Sequence, residues 1–178
     1  MKKILILEGS PRPNGNSCIL SNEFARGAEE AGNRVEKIQL SRKKLSGCLG
    51  CNACYRNGGA CVQKDDMEEI RAKMLEADVI VLASPIYFYS MTAQMKTLID
   101  RTYAFYQQLA GKTFYFLVTC GAPDASYTET MLASLRGFTC CVPDAKEGGV
   151  VLGVGAMEAG DIRSSDAMQQ AYQMGKNV

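Results

Sequence analysis

Four cysteines stand at Cys48, Cys51, Cys54 and Cys61, a Cys-x2-Cys-x2-Cys-x6-Cys run set among Gly47, Gly50, Gly58 and Gly59. Three thiols at successive two-residue gaps and a fourth shortly after can wrap one compact inorganic centre, as in the ferredoxin runs that hold a cubane of iron and sulfide. A [4Fe-4S] cluster is the first chemistry this spacing suggests. Zinc held by four thiolates is a rival, although two Cys-x2-Cys knuckles on a longer arm are its commoner form. Reduced thiols without metal, or a Cys-x2-Cys disulfide, are the plain alternative and stand ahead of zinc.

The second constellation lies near the N-terminus, where the apolar run Ile4 to Leu7 breaks at Gly9 into Ser10-Pro11-Arg12-Pro13-Asn14-Gly15-Asn16 and a helical pattern opens at Ser17. A strand, a small-polar loop and a helix start bring free N–H groups and the positive end of a helix dipole together. Ser10, Asn16 and Ser17 add short donors and Arg12 adds charge, so a monophosphate is the natural guest. A Walker A loop is excluded because Gly9 and Gly15 are one residue too far apart and Asn16 stands where its lysine belongs. No G-x-G-x-x-G follows the strand either. The plain alternative is an ordinary strand-to-helix turn, with Gly15 for backbone freedom and Ser17 as N-cap.

The chain that carries these residues has 178 of them, 47% hydrophobic, which fits a single domain over residues 1–178. Twenty basic against nineteen acidic side chains leave a net charge of +1, which offers nucleic acid and anionic membranes little. A small-molecule partner is expected instead. The apolar run after Lys2-Lys3 is too short for a signal-peptide core and none later approaches a membrane span, so a cytoplasmic location is expected. There, eight cysteines imply reduced thiols, metal ligands or redox chemistry rather than structural disulfides. The absence of histidine removes the usual general base and every imidazole ligand, which points to chemistry borne by a cofactor.

Apolar runs at 4–7, 35–40, 79–83, 114–118 and 150–154 alternate with helical patterns near 17–31, 66–77, 92–109, 127–137 and 160–174. That alternation predicts an α/β fold, a doubly wound five-stranded parallel sheet of order 2-1-3-4-5, with the Cys-rich segment 46–64 as an insertion loop. Strand 2, carrying Glu36, Lys37 and Gln39, reads as an edge. The topological switch then lies between strands 1 and 3, over loops 9–17 and 84–91. The second of these is Ser84-Pro85-Ile86-Tyr87-Phe88-Tyr89-Ser90-Met91, and three adjacent aromatics cannot all enter one core, so at least one should face a ligand or a partner subunit. The next carboxyl-end loop, Thr119 to Tyr127, can offer main-chain N–H groups to a ring carbonyl, chiefly around Thr119 and Gly121.

Several residues read as structural. Cys120, Cys140 and Cys141 look like buried hydrophobes, and Cys18 like a small residue beside the loop. Asp66, with Glu69 three residues on, looks like a helix cap, and Lys96, Asp100 and Arg101 like a solvated helix face.

Gly9-Ser10-Pro11-Arg12, Gly15-Asn16-Ser17, the Ser84 to Tyr87 loop and the Cys48 to Cys61 run together resemble the flavodoxin-like NAD(P)H-dependent FMN reductases, and among them the iron–sulfur flavoproteins. The resemblance covers residues 1 to 125 in order. It implies that Ser10, Arg12, Asn16, Ser17 and Cys18 hold the FMN phosphate. It implies that Pro85, Ile86, Tyr87, Phe88, Tyr89 and Ser90 line the isoalloxazine ring. The implied reaction is hydride transfer from NAD(P)H to FMN, then delivery to a quinone, another flavin or a protein acceptor, directly or through a cluster on the four cysteines. The resemblance also implies a homodimer or homotetramer with flavin near a subunit interface. Two other functions stay open on the same residues: a non-enzymatic electron carrier, and a zinc- or thiol-based redox sensor.

Overall fold

The computed structural model describes residues 1–178. Five parallel strands, β1 (Lys3–Glu8), β2 (Arg34–Gln39), β3 (Val79–Pro85), β4 (Thr113–Thr119) and β5 (Lys146–Gly153), form one sheet in the order β2-β1-β3-β4-β5. This is the expected doubly wound topology, with β2 at the edge. Alternation along each strand splits the core in two. Leu5, Leu7, Ile80 and Leu82 point to one face and pack with α3 (Met67–Glu76), α4 (Ala93–Arg101) and α5 (Glu129–Cys140); α2 (Ala53–Arg56) is a single turn in the Cys-rich loop. Ile4, Ile6, Val79 and Val81 point to the other, under α1 (Asn16–Glu30) and α6 (Ala167–Lys176). Burial on both faces is why the central strands read as unbroken apolar runs.

α1 and α6 approach at backbone distance. A Cβ on Gly27 would stand 2.1 Å from the Tyr172 carbonyl oxygen, and one on Gly175 would stand 2.0 Å from that of Phe24. Both positions must therefore be glycine for the helices to pack as they do.

Three expected boundaries shift. The helix over 92–109 stops at Arg101, and two short 3-10 turns follow because Phe105 leaves helical geometry (φ −150°) to bury its ring. The helix over 160–174 is a 3-10 turn (Asp161–Ser164) and then α6, separated by extended backbone at Ser165. β5 begins at Lys146, hidden in the sequence by its polar start and by the bulge at Gly148, which leaves room beneath the Tyr115 ring. No helix is long and apolar enough to cross a membrane.

Candidate functional site

At the carboxyl end of β1 the chain turns through Gly9 to Gly15 and enters α1 with Gly15 as N-cap, which has no side chain to satisfy the helix start. The main-chain N–H groups of Asn16 and Ser17 donate to no protein acceptor. The Ser17 hydroxyl is buried at the same point and also has no partner. Ser10 shapes the turn: its Oγ accepts from the Arg12 N–H at 3.1 Å and lies 3.2 Å from the Arg12 carbonyl. A Cβ on Gly15 would reach to 2.7 Å from that same Ser10 Oγ. The Arg12 side chain is exposed and forms no ion pair or hydrogen bond. Donors and a free cation thus meet at one end of an open pocket of about 390 Å³.

The other end is aromatic. After β3 the chain makes a tight hairpin in which Tyr87 and Ser90 exchange both main-chain hydrogen bonds, at 2.8 and 3.1 Å. Phe88 and Tyr89 occupy its corners in the left-handed region, at φ 49° and 63°. Bulky residues there cost roughly 1 kcal/mol or more each, and glycine or asparagine is the usual solution. What the strain achieves is display: Phe88 is 102% exposed, and Tyr89 stacks on Tyr127 at 6.0 Å between centroids. The hairpin is anchored from beneath by Thr92, whose hydroxyl donates to the Gly9 carbonyl at 2.8 Å and accepts from the Met95 N–H at the start of α4. The loop after β1 and the aromatic loop are therefore locked to each other.

A third wall comes from the segment after β5, and Asn16 holds it. Its Nδ2 donates to the carbonyls of Ala156 and Glu158 at 3.0 and 2.8 Å. Its Oδ1 accepts from the N–H groups of Gly160 and Ile162 at 2.9 and 3.4 Å. All four hydrogen-bonding positions of the amide are used. The side chain is thus a tether and offers the pocket only its main-chain N–H, which corrects the reading of Asn16 as a side-chain donor to a phosphate.

Ten of the thirteen residues expected to bind cofactor line this pocket: Ser10, Arg12, Asn16, Pro85, Ile86, Tyr87, Phe88, Tyr89, Thr119 and Gly121. Ser17 sits behind it with its free hydroxyl, Cys18 is buried beneath the loop, and Ser90 is used in the hairpin. Sequence reasoning missed Tyr127, Ala156 and Met157, which complete the wall. The loop after β5 could have been anticipated, since every carboxyl-end loop of a parallel sheet opens on the same side. Burial, and next the charge of Glu8, push the Cys18 thiol up to about 11, so it stays protonated near neutrality.

The cysteine loop stands apart from this pocket, at the far end of α4. Cys48, Cys51, Cys54 and Cys61 line one small pocket together, with Arg101. Their sulfurs do not converge as a ready ligand set, since no group of three or more Cys, Asp or Glu side chains is placed to hold a metal ion. Arg101 is not on a solvated face: its side chain is 1% exposed and paired with Asp65 at 2.6 Å. That carboxylate is held below the usual range, first by the Arg101 hydrogen bond. The expected cap at Asp66 is absent; Asp66 accepts from the Lys44 N–H at 2.7 Å, and Asp65 takes the Met67 N–H at the start of α3. Cys120 is buried as expected, whereas Cys140 and Cys141 are exposed at the end of α5, beyond its last core position.

The family model for NADPH-dependent FMN reductase matches residues 2–146. The chain belongs to that family. It is 34% identical over 192 residues to an iron–sulfur flavoprotein of Methanocaldococcus jannaschii, covering 99% of this chain and 95% of that protein. It is 46% identical over 101 residues to an iron–sulfur flavoprotein of Archaeoglobus fulgidus, a match that spans 57% of this chain and 45% of that relative. Among solved structures, an NAD(P)H:quinone oxidoreductase from Methanothermobacter marburgensis superposes with a TM-score of 0.74 at 19% identity, over 99% of this chain and 95% of that one. The likeness at that identity is one of fold.

The pocket suits the cofactor of the FMN reductase family on its own chemistry. A phosphate would satisfy the buried Ser17 hydroxyl and the two free N–H groups of α1, and would neutralise Arg12. The cleft beyond them is of the volume that small-molecule sites commonly have, with apolar and aromatic walls. The four thiols are a donor set suited to iron–sulfur chemistry, and they border one pocket beside a buried cation.

Proposed function

We propose that the chain is an FMN-dependent oxidoreductase that takes hydride from NAD(P)H and passes electrons to a quinone, a flavin or a protein acceptor, and that Cys48, Cys51, Cys54 and Cys61 hold an iron–sulfur cluster. The observation that carries the reading is the buried, unpartnered Ser17 hydroxyl at the head of α1, next to Arg12 and opposite a strained aromatic hairpin. Bound in this pocket, FMN would supply what the side chains lack, acceptance of hydride and release of electrons.

The residues around it have binding and shaping roles. Ser10 fixes the turn, Ser17 and Arg12 hold the phosphate, and the N–H of Gly121, which has no protein acceptor, is available to a ring carbonyl. Tyr87, Phe88 and Tyr89 stack, exclude water and leave a face onto which a nicotinamide can settle. A site without histidine suffices for this because no side chain has to move a proton. The name carried by the Methanocaldococcus jannaschii relative, iron–sulfur flavoprotein, supports the cluster.

FMN titration of the wild type and of Arg12→Ala tests the site. Loss of one phosphate ion pair should weaken binding about tenfold or more; equal affinity would place the phosphate elsewhere. Wild-type protein that binds FMN but is not reduced by NADPH would be an electron carrier instead.

A further inference from the structure

Lys44 and Asp66, and Gly47 and Gln63, pair across the base of the cysteine loop, and the one buried charge among the groups that close it is Arg101. Its Nη1 donates to the Ser46 carbonyl at 2.8 Å and to Asp65 Oδ2 at 2.6 Å. Its Nη2 donates to Asp65 Oδ1 at 3.0 Å and lies 3.6 Å from the Cys61 sulfur. Asp65 in turn accepts from the Ser46 N–H at 3.0 Å. One planar guanidinium therefore joins the first residue of the segment 46–65, its last residue and its fourth cysteine.

We propose that Arg101 is the positioning residue of the thiol loop, fixing both of its ends and setting a buried positive charge against Cys61, so that the loop is restrained around a thiolate-bound metal centre whose net charge is negative. Stability alone is a poor reason to bury a guanidinium, because the cost of desolvation roughly cancels the attraction of the pair. The Asp65 fork also leaves the arrangement incomplete: Arg101 Nε is buried with no partner. The small pocket that this side chain borders is the one the four cysteines line. Thiolates around a metal centre carry net negative charge, and a guanidinium donating toward one sulfur both orients that ligand and offsets the charge. Lysine could supply the charge but not the fork.

The part of this inference that concerns potential rests on the cluster reading above; the part that concerns the loop does not. The test compares wild type with Arg101→Gln, Arg101→Lys and Asp65→Asn. Hydrogen exchange over 47–64 is measured on metal-free protein. Cadmium binding is followed by thiolate-to-metal absorption, and FMN binding serves as the check of folding. Arg101→Gln should lose loop protection and bind cadmium ten- to a hundredfold more weakly, the range seen when groups behind metal ligands are removed. Arg101→Lys should recover part of that loss. In protein loaded with iron and sulfide, the midpoint potential should move negative in Arg101→Gln and stay near wild type in Arg101→Lys, since losing a cation disfavours the more negative reduced state.

Unchanged cadmium affinity and loop protection in Arg101→Gln would overturn the proposal, as would wild type that takes no cadmium. An Arg101→Lys variant as impaired in potential as Arg101→Gln would overturn the role of charge. Should Arg101→Gln fail to fold, Asp65→Asn decides: faster exchange at Ser46 with weaker cadmium binding supports the positioning role, and wild-type behaviour rejects it. Wild type that binds cadmium but assembles no iron–sulfur chromophore would reject the cluster reading and leave the loop clasp standing.

Discussion

Replacing Asn16 by alanine removes a tether whose four bonds reach across 140 to 146 residues of chain. A net hydrogen bond contributes about 0.5–1.5 kcal/mol. Of these, the bond to the Glu158 carbonyl is exposed to solvent, and the bond from the Ile162 N–H is long at 3.4 Å, so each counts at the low end. The sum is about 2–3 kcal/mol of local stability for segment 156–162, or a roughly 30- to 150-fold rise in its opening. Native-state hydrogen exchange reads this directly at Gly160 and Ile162, which lose their acceptor in the variant. FMN affinity should fall by no more than the same factor, and about tenfold if half of the free energy must be restored on binding. Asn16→Asp separates tether from phosphate contact. It keeps the two acceptor bonds but turns a carboxylate toward two carbonyls and toward any phosphate, so it should bind FMN more weakly than the alanine variant. Exchange at 156–162 equal to wild type in Asn16→Ala would refute the tether.

Two further outcomes follow from the titrating groups. Asp65 has a folded pKa below its ordinary 3.8, chiefly through Arg101, so its contribution to stability is complete above the unfolded value and is lost as pH falls through the folded one. Acid-unfolding curves taken from pH 5 down to 2 should therefore be shallower for Asp65→Asn, and an unchanged slope would contradict the assignment. The Cys18 thiol, at about 11, should resist iodoacetamide at pH 8 while Cys48, Cys51, Cys140 and Cys141, all exposed, are alkylated in metal-free protein. Peptide mass spectrometry gives the order of labelling, and early modification of Cys18 would contradict its burial.

The sheet was legible because its strands are apolar on both faces, and the pocket's place followed from where strand order reverses. What stayed hidden was long-range partnership. Asn16 sits in a string, Gly-Asn-Ser, whose local meaning is a phosphate loop, and its actual partners lie beyond residue 155. Arg101 was misread for the same reason, its carboxylate being 36 residues upstream. A signal did exist: Met95, Leu98 and Arg101 share the buried stripe of α4, and a charged residue on such a stripe must have a partner. The strained hairpin at Phe88 and Tyr89 carried no turn residue to announce it, because display of the rings overrides local preference.

The most direct test of the central claim is the visible absorption spectrum of protein purified without oxygen, recorded before and after NADPH. FMN held by the first pocket and a cluster on the four cysteines predict flavin bands with a broad charge-transfer shoulder, both bleaching on addition. Colourless protein that cannot be loaded with FMN would contradict the account.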